Sequence, residues 1–171
     1  MVRQPRCYTR AMFAATPLTG NKPEQYAQLL EQARALMHGE RDRIANAANL
    51  SALLYHGLPD LNWAGFYFFD GTELVVGPFQ GLPACVRIPL DRGVCGAAAR
   101  DRATQRVDDV HAFPGHIACD AASRSEIVVP LVHGGELVGV LDIDSPLPSR
   151  FNEDDQRGVE AIAAAFVEAL R

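Results

Sequence analysis

The segment HIACDAASRSE, His116 to Glu126, places a cysteine among small and polar residues that have no core character. A thiol becomes a nucleophile as thiolate, which nearby positive charge favours and nearby carboxylates oppose. His116 would help Cys119 ionise, whereas Asp120 and Glu126 would work against it. Acids beside a nucleophilic thiol make sense where the reaction consumes a proton or the substrate brings a cation. Cys85 and Cys95 lie in the same Gly-, Pro- and Asp-rich region, Gly81 to Ser125, and either could trap an oxidised Cys119 as a disulfide. The plainer fate of a free cysteine is that of a small buried hydrophobe, and Cys7, outside this region, is read that way.

A second set of groups lies on a strand pattern. Asp142 and Asp144 are two residues apart in GVLDID, so a strand projects them from one face, together with Val138 and Val140. Leu137, Leu141 and Ile143 then occupy the other face. Glu126 begins the partner strand. A strict two-residue Gly134-Gly135 turn pairs Glu126 with Ile143 and sends it to the wrong face. One more loop residue, or a bulge, sets it opposite Asp142 and makes a cluster of three carboxylates. The competing reading is a solvated strand end. In NWAGFYFF, Trp63, Gly65, Tyr67 and Phe69 share a face, with Ala64, Phe66 and Phe68 behind. Trp63 and Tyr67 carry polar tips, and Gly65 leaves space between them for a small pocket.

The elements that must position these groups follow from periodicity and turn chemistry. Tyr26, Leu29, Leu30, Ala33 and Met37 form a helical stripe opened by Pro23. A second helix runs from Asp42 to His56, with Ile44, Ala48, Leu50 and Leu54 as its apolar positions, and Gly57 and Pro59 end it. Asp70-Gly71 turns a first hairpin and Gly134-Gly135 a second. Between them stand one short helix, Gly93 to Arg102, and the strand fragment TQRVDDV. A last helix starts at Glu153 behind Asn152 as N-cap, with acids in its first turn, and buries Val159, Ile162, Ala163, Phe166, Val167 and Leu170. This order predicts an α+β domain, an antiparallel sheet covered by helices from both ends of the chain.

Composition narrows the partners. The 171 residues suit one domain. Residues 21–171 are assigned to it, and residues 1–20 to a poorly structured tail with Met1 or Met12 as the start. The net charge is -5 and no dense basic patch occurs, which argues against nucleic acid. No apolar run approaches the ~20 residues of a membrane span, and no signal-peptide pattern is present, so a cytoplasmic place is expected. Cysteines without a C-x-x-C knuckle give weak support to structural zinc. A zinc site built from Cys85, Cys95, Cys119 and His111 or His116 has irregular spacing.

NWAGFYF, LVVGPFQGLPAC, GVCG, DDVHAFPGHIACDAASRSEIVVP and GVLDIDS follow one another in an order that resembles the free methionine-(R)-sulfoxide reductases, which are single GAF-domain enzymes. The resemblance covers roughly Leu29 to the end. It implies a GAF-like, six-stranded antiparallel sheet flanked by helices around a small cavity. It further implies reduction of free L-methionine-(R)-sulfoxide, an oxidative-stress repair, with electrons from thioredoxin and with neither a metal nor an organic cofactor. The matching positions make Cys119 catalytic, with Cys85 and Cys95 supporting it. Glu126, Asp142, Asp144, Trp63 and Tyr67 become the substrate-binding residues. Whether the protein forms a homodimer is open. The rival from another class is a sensory GAF module that binds a small ligand without turnover.

Overall fold

The computed structural model describes residues 13–115 and 121–170. Cys119, His116 and Asp120 lie outside these residues, as do Cys7 and the rest of residues 1–12. The described elements are α1 (Lys22–Met37), α2 (Arg43–Gly57), β1 (Trp63–Phe69), β2 (Glu73–Gly81), β3 (Arg87–Pro89), α3 (Gly93–Asp101), β4 (Gln105–Val107), β5 (Ser125–His133), β6 (Glu136–Ser145) and α4 (Glu153–Ala169). A 3-10 turn at Val110–Ala112 precedes β5. The strands form one antiparallel sheet in the order β3-β2-β1-β6-β5-β4, with the two hairpins joined through β1 and β6. Among the described residues no helix is long and apolar enough to cross a membrane.

The helices form where the caps and stripes direct. Asn21 and Asn152 each close a capping box with Glu24 and Asp155, satisfying amides that the first turn leaves free. Asp42 accepts from the amides of Ile44 and Ala45. Helices α1, α2 and α4 bury their apolar sides in one cluster with Ala64, Phe66, Phe68, Ile127, Leu141 and Ile143 from the sheet. On α2 the buried side differs from the expected one. Ala47, Leu50, Leu53 and Leu54 face inward, whereas Ile44 is 49% exposed and Ala48 is also outside. An Ala-rich helix has a weak apolar contrast, so its rotation is set by what it packs on, here β1 and β2.

The opposite sheet face carries a second cluster, in which Trp63, Tyr67, Val128 and Val140 meet α3 through Val94, Cys95, Ala98 and Ala99. Residues 13–20 run beside α1, where Gln32 bonds both the amide and the carbonyl of Thr16 and Gln28 does the same for Thr19.

The β5–β6 register corrects one expectation and supplies its reason. Gly134-Gly135 is a two-residue turn with His133 opposite Glu136, but a register shift lies between Leu131 and Val132, which face Gly139 and Leu137. Val138 is therefore an extra residue on β6, and the bulge reverses the inside–outside parity of the strand. Glu126 consequently pairs with Asp144, not Asp142, and Asp142 faces Val128. Val138 correspondingly packs with the three-helix cluster, while Leu137 packs on the α3 side, the reverse of a regular strand. Gly139 makes the bulge affordable in space: a Cβ there would collide with the Tyr67 carbonyl on β1.

Candidate active site

The α3 side of the sheet is where the chemistry-bearing residues meet. Alternation along β1 projects Trp63 and Tyr67 there, and alternation along β6 projects Asp142 and Asp144 beside them, since Trp63 pairs with Asp144 and Gly65 with Asp142. The Val138 bulge brings Glu126 of β5 to the same face. Helix α3 covers them and contributes Cys95 from its first turn. Together with Ser123 and the segment Leu82–Ala84, these side chains line one cleft with a cavity of about 40 Å³.

Aromatic rings form one wall. Trp63 stacks between Tyr67, at 5.7 Å between centroids, and Phe79, at 5.2 Å. Its indole N–H donates to the Leu82 carbonyl at 3.2 Å, which fixes the ring and ties the Leu82–Ala84 segment to the sheet. Gly65 is required by this arrangement, because a Cβ would lie 2.7 Å from Trp63 Cη2. The space expected beside Gly65 is thus filled by the indole, which becomes the wall of the cleft. Asn62, just before β1, donates to the Ser123 hydroxyl at 2.9 Å and closes the rim.

The floor is acidic and largely buried. Glu126 is 6% exposed and Asp142 5%, while Asp144 is half-buried. The Cys95 thiol lies 3.9 Å from Glu126 Oε1 and is itself buried and free. Asp142 Oδ1 is buried without a hydrogen-bond partner. Neither Glu126 nor Asp142 has an ion pair among the described residues.

Burial, reinforced by the neighbouring Asp142 and Asp144 charges, pushes Glu126 well above the usual carboxylate range. Burial likewise raises Asp142 to about 7, although hydrogen bonds from Cys95 and Glu126 pull the other way. The Cys95 thiol is pushed up by its burial and by Asp142 and Glu126. Tyr67 keeps its proton for the same reasons, burial first and Asp142 next. Such a floor can hold a proton near neutrality and can receive a cation, and the rings above it suit an apolar group.

Of the residues singled out from sequence, Trp63, Tyr67, Cys95, Glu126, Asp142 and Asp144 therefore line a single cleft. Cys85 follows the lining residue Ala84, is half-buried, and is disulfide-bonded. Cys119 lies outside the described residues. Sequence reasoning passed over Ser123, Leu82, Pro83 and Val94. Their only signal was position, next to Glu126, Cys85 and Cys95 respectively, since their own chemistry is unremarkable.

A family model described as GAF domain matches residues 48–171. The chain is 54% identical over 150 residues to free methionine-R-sulfoxide reductase of Escherichia coli, covering 88% of this chain and 91% of that protein. It is 42% identical over 151 residues to the enzyme of the same name from Saccharomyces cerevisiae, with 84% of each covered. The X-ray structure of free methionine-R-sulfoxide reductase from Neisseria meningitidis, in complex with its substrate, superposes with a TM-score of 0.89 at 42% identity, over 93% of this chain and 96% of that one. By sequence and by fold, the chain belongs to the GAF domain family and, within it, to the free methionine-R-sulfoxide reductases.

Proposed function

We propose that this protein reduces free L-methionine-(R)-sulfoxide to L-methionine in the cleft between α3 and the sheet. The observation that carries this reading is the buried carboxylate floor under Trp63. It offers charge-assisted hydrogen bonds to an amino acid's ammonium group, an apolar wall for its methyl and methylene groups, and a protonated carboxyl near neutral pH.

In the proposed reaction the Cys119 thiolate attacks the sulfoxide sulfur and forms an S–S bond, while Glu126 or one of the aspartates protonates the sulfoxide oxygen. The protonated oxygen then passes to the Cys119 sulfur as the S–O and S–S bonds to the substrate break; the substrate sulfur keeps the electron pair and departs in methionine, two electrons reduced, and Cys119 is left as sulfenic acid. A second thiol then condenses with the sulfenic acid, forming a disulfide and releasing water. Cys85 takes that part in this reading: it is disulfide-bonded, whereas Cys95 is a buried free thiol whose ionisation is disfavoured. Thioredoxin, as a dithiol, returns both cysteines to thiols by exchange and becomes oxidised itself. The cycle uses no metal or organic cofactor, and it belongs in the cytoplasm, where thioredoxin is kept reduced and oxidised methionine is to be repaired.

The test is NADPH consumption in a thioredoxin-coupled assay with the resolved R and S epimers of free methionine sulfoxide. Only the R epimer should be consumed, and Cys119→Ser should abolish turnover. Cys85→Ser should still release one methionine per enzyme but stop recycling. Reduction of the S epimer, or binding of the R epimer without turnover as in a sensory module, would overturn the proposal.

A further inference from the structure

Three donor groups meet at the bottom of the cleft. Cys95 Sγ, a Glu126 carboxylate oxygen and an Asp142 carboxylate oxygen are all within 4.8 Å of one another, and all three residues are buried. The pair measured individually, Cys95 and Glu126, is 3.9 Å apart. A tetrahedral zinc ion with bonds of ~2.0–2.3 Å sets its ligands roughly 3.3–3.8 Å apart, so side-chain rotation alone can close the set. The second observation is independent of the clustering. Asp142 Oδ1 is buried with no hydrogen-bond partner, on a residue that lines the cleft. A carboxylate oxygen hidden from water and left unmet is costly unless something positive comes to it. The cleft's cavity, about 40 Å³, has room for an ion and a water.

We propose that Cys95, Glu126 and Asp142 form a three-ligand site for a borderline-soft divalent cation, zinc above all, with the fourth position open to the cleft. One thiolate with two carboxylates suits zinc better than magnesium or calcium, which take oxygen ligands throughout. Binding displaces the Cys95 thiol proton and any proton held between the carboxylates, so affinity rises with pH. No redox step is involved. The ion occupies the floor on which the proposed reaction places the substrate's ammonium, so metal and amino acid exclude each other. The site is a brake on the enzyme, not a cofactor site.

Cobalt(II) reports the ligand set directly, because a thiolate ligand gives a near-ultraviolet charge-transfer band. Titration is made on the full chain carrying Cys7→Ser, Cys85→Ser and Cys119→Ser, which leaves Cys95 as its one cysteine. The band should appear, saturate at one equivalent and disappear on adding zinc. Adding Cys95→Ser should abolish it, and Asp142→Asn or Glu126→Gln should each weaken cobalt binding by about tenfold or more. No band with Cys95 present, or a band undiminished in both carboxylate variants, overturns the metal site. Methionine tested as competitor separates the two readings. It should raise the apparent cobalt Kd, and a saturable band indifferent to methionine would leave the metal site standing while removing the amino acid from this floor.

Discussion

Asp155 and the pair Glu126–Asp142 are almost equally hidden from water, yet their surroundings are opposite. Asp155, at the start of α4, is 0% exposed and fully met: Lys22 Nζ at 2.5 Å, Arg150 at 2.9 Å, the Tyr26 hydroxyl at 2.9 Å and the Asn152 amide at 2.8 Å. Burial would raise its pKa, but the Asn152 amide, Lys22 and Arg150 outweigh that and hold it below the ordinary range. Glu126 and Asp142 have no cation among the described residues, and burial raises both. The first arrangement joins α1, α4 and the Pro59 loop into one scaffold. The second leaves an uncompensated demand for positive charge or protons in a cleft. A buried acid with its partners built in serves the fold, and one without them serves a ligand.

The largest effect should come from breaking the satisfied site. Asp155→Ala strands Arg150, whose side chain is only 8% exposed, without its carboxylate. Loss of one member of a buried ion pair costs about 3–5 kcal/mol, readable as a lowered urea midpoint at pH 7. The pH dependence has a definite sign. With its folded pKa below 3.8, Asp155 contributes stability that is present above that value and is lost as pH falls through the folded pKa. The variant should therefore lose part of the wild-type fall in stability at acid pH. An unchanged acid limb would show that Asp155 is not the scaffold charge it is taken to be.

Tyr26→Phe should do less. It deletes one O–H donor to Asp155 and leaves Lys22, Arg150 and Asn152 in place. A hydrogen bond to a charged group is worth about 1.5–2 kcal/mol, so thermal unfolding should move down by a few degrees with the cleft's activity intact. A loss as large as that of Asp155→Ala would mean that the two cations count for little beside the phenol.

The same contrast explains what sequence could convey. Caps and stripes are local, and Asn152, Asp42 and the α4 apolar positions were readable because helix starts satisfy their amides within four residues. The face of β1 was readable from alternation alone, whereas the meeting of Trp63 and Tyr67 with the acids followed only from the family resemblance, because it depends on the pairing of β1 with β6. The bulge partner was not readable. It turns on where the extra residue falls, and alternation does not show that Val138 is inserted on β6, so the expected partner of Glu126 is Asp142 and the observed one is Asp144. Asp155 looked like an ordinary first-turn acid, and only the fold brings Lys22 to it from 133 residues away. The three-residue β3 is held by pairing with Glu73, Leu74 and Val75 and has no periodicity of its own.

The smallest stability effect, and the most discriminating one, should come from Asp142→Asn, because its sign reverses. Wild-type Asp142 is raised from 3.8 to about 7, so between those values the folded protein holds a proton that the unfolded chain has released. Stability therefore falls as pH rises through that window, and above it the folded state carries the cost of a buried carboxylate with no cation beside it among the described residues. Asparagine has no such charge to bury. The variant should match wild type near pH 4 and be more stable by about 1 kcal/mol at pH 8, a modest share of the shift because the carboxylates titrate together and one neutral form relieves the others. It should at the same time raise KM for the amino acid by about tenfold, if Asp142 makes the proposed charge-assisted contact to the ammonium. Urea unfolding at both pH values, set beside the KM, checks the pair of signs. A variant destabilised at pH 8 would place Asp142 with Asp155 as a scaffold charge, whereas a gain in stability joined to a loss of affinity is the signature of a residue kept for what it binds.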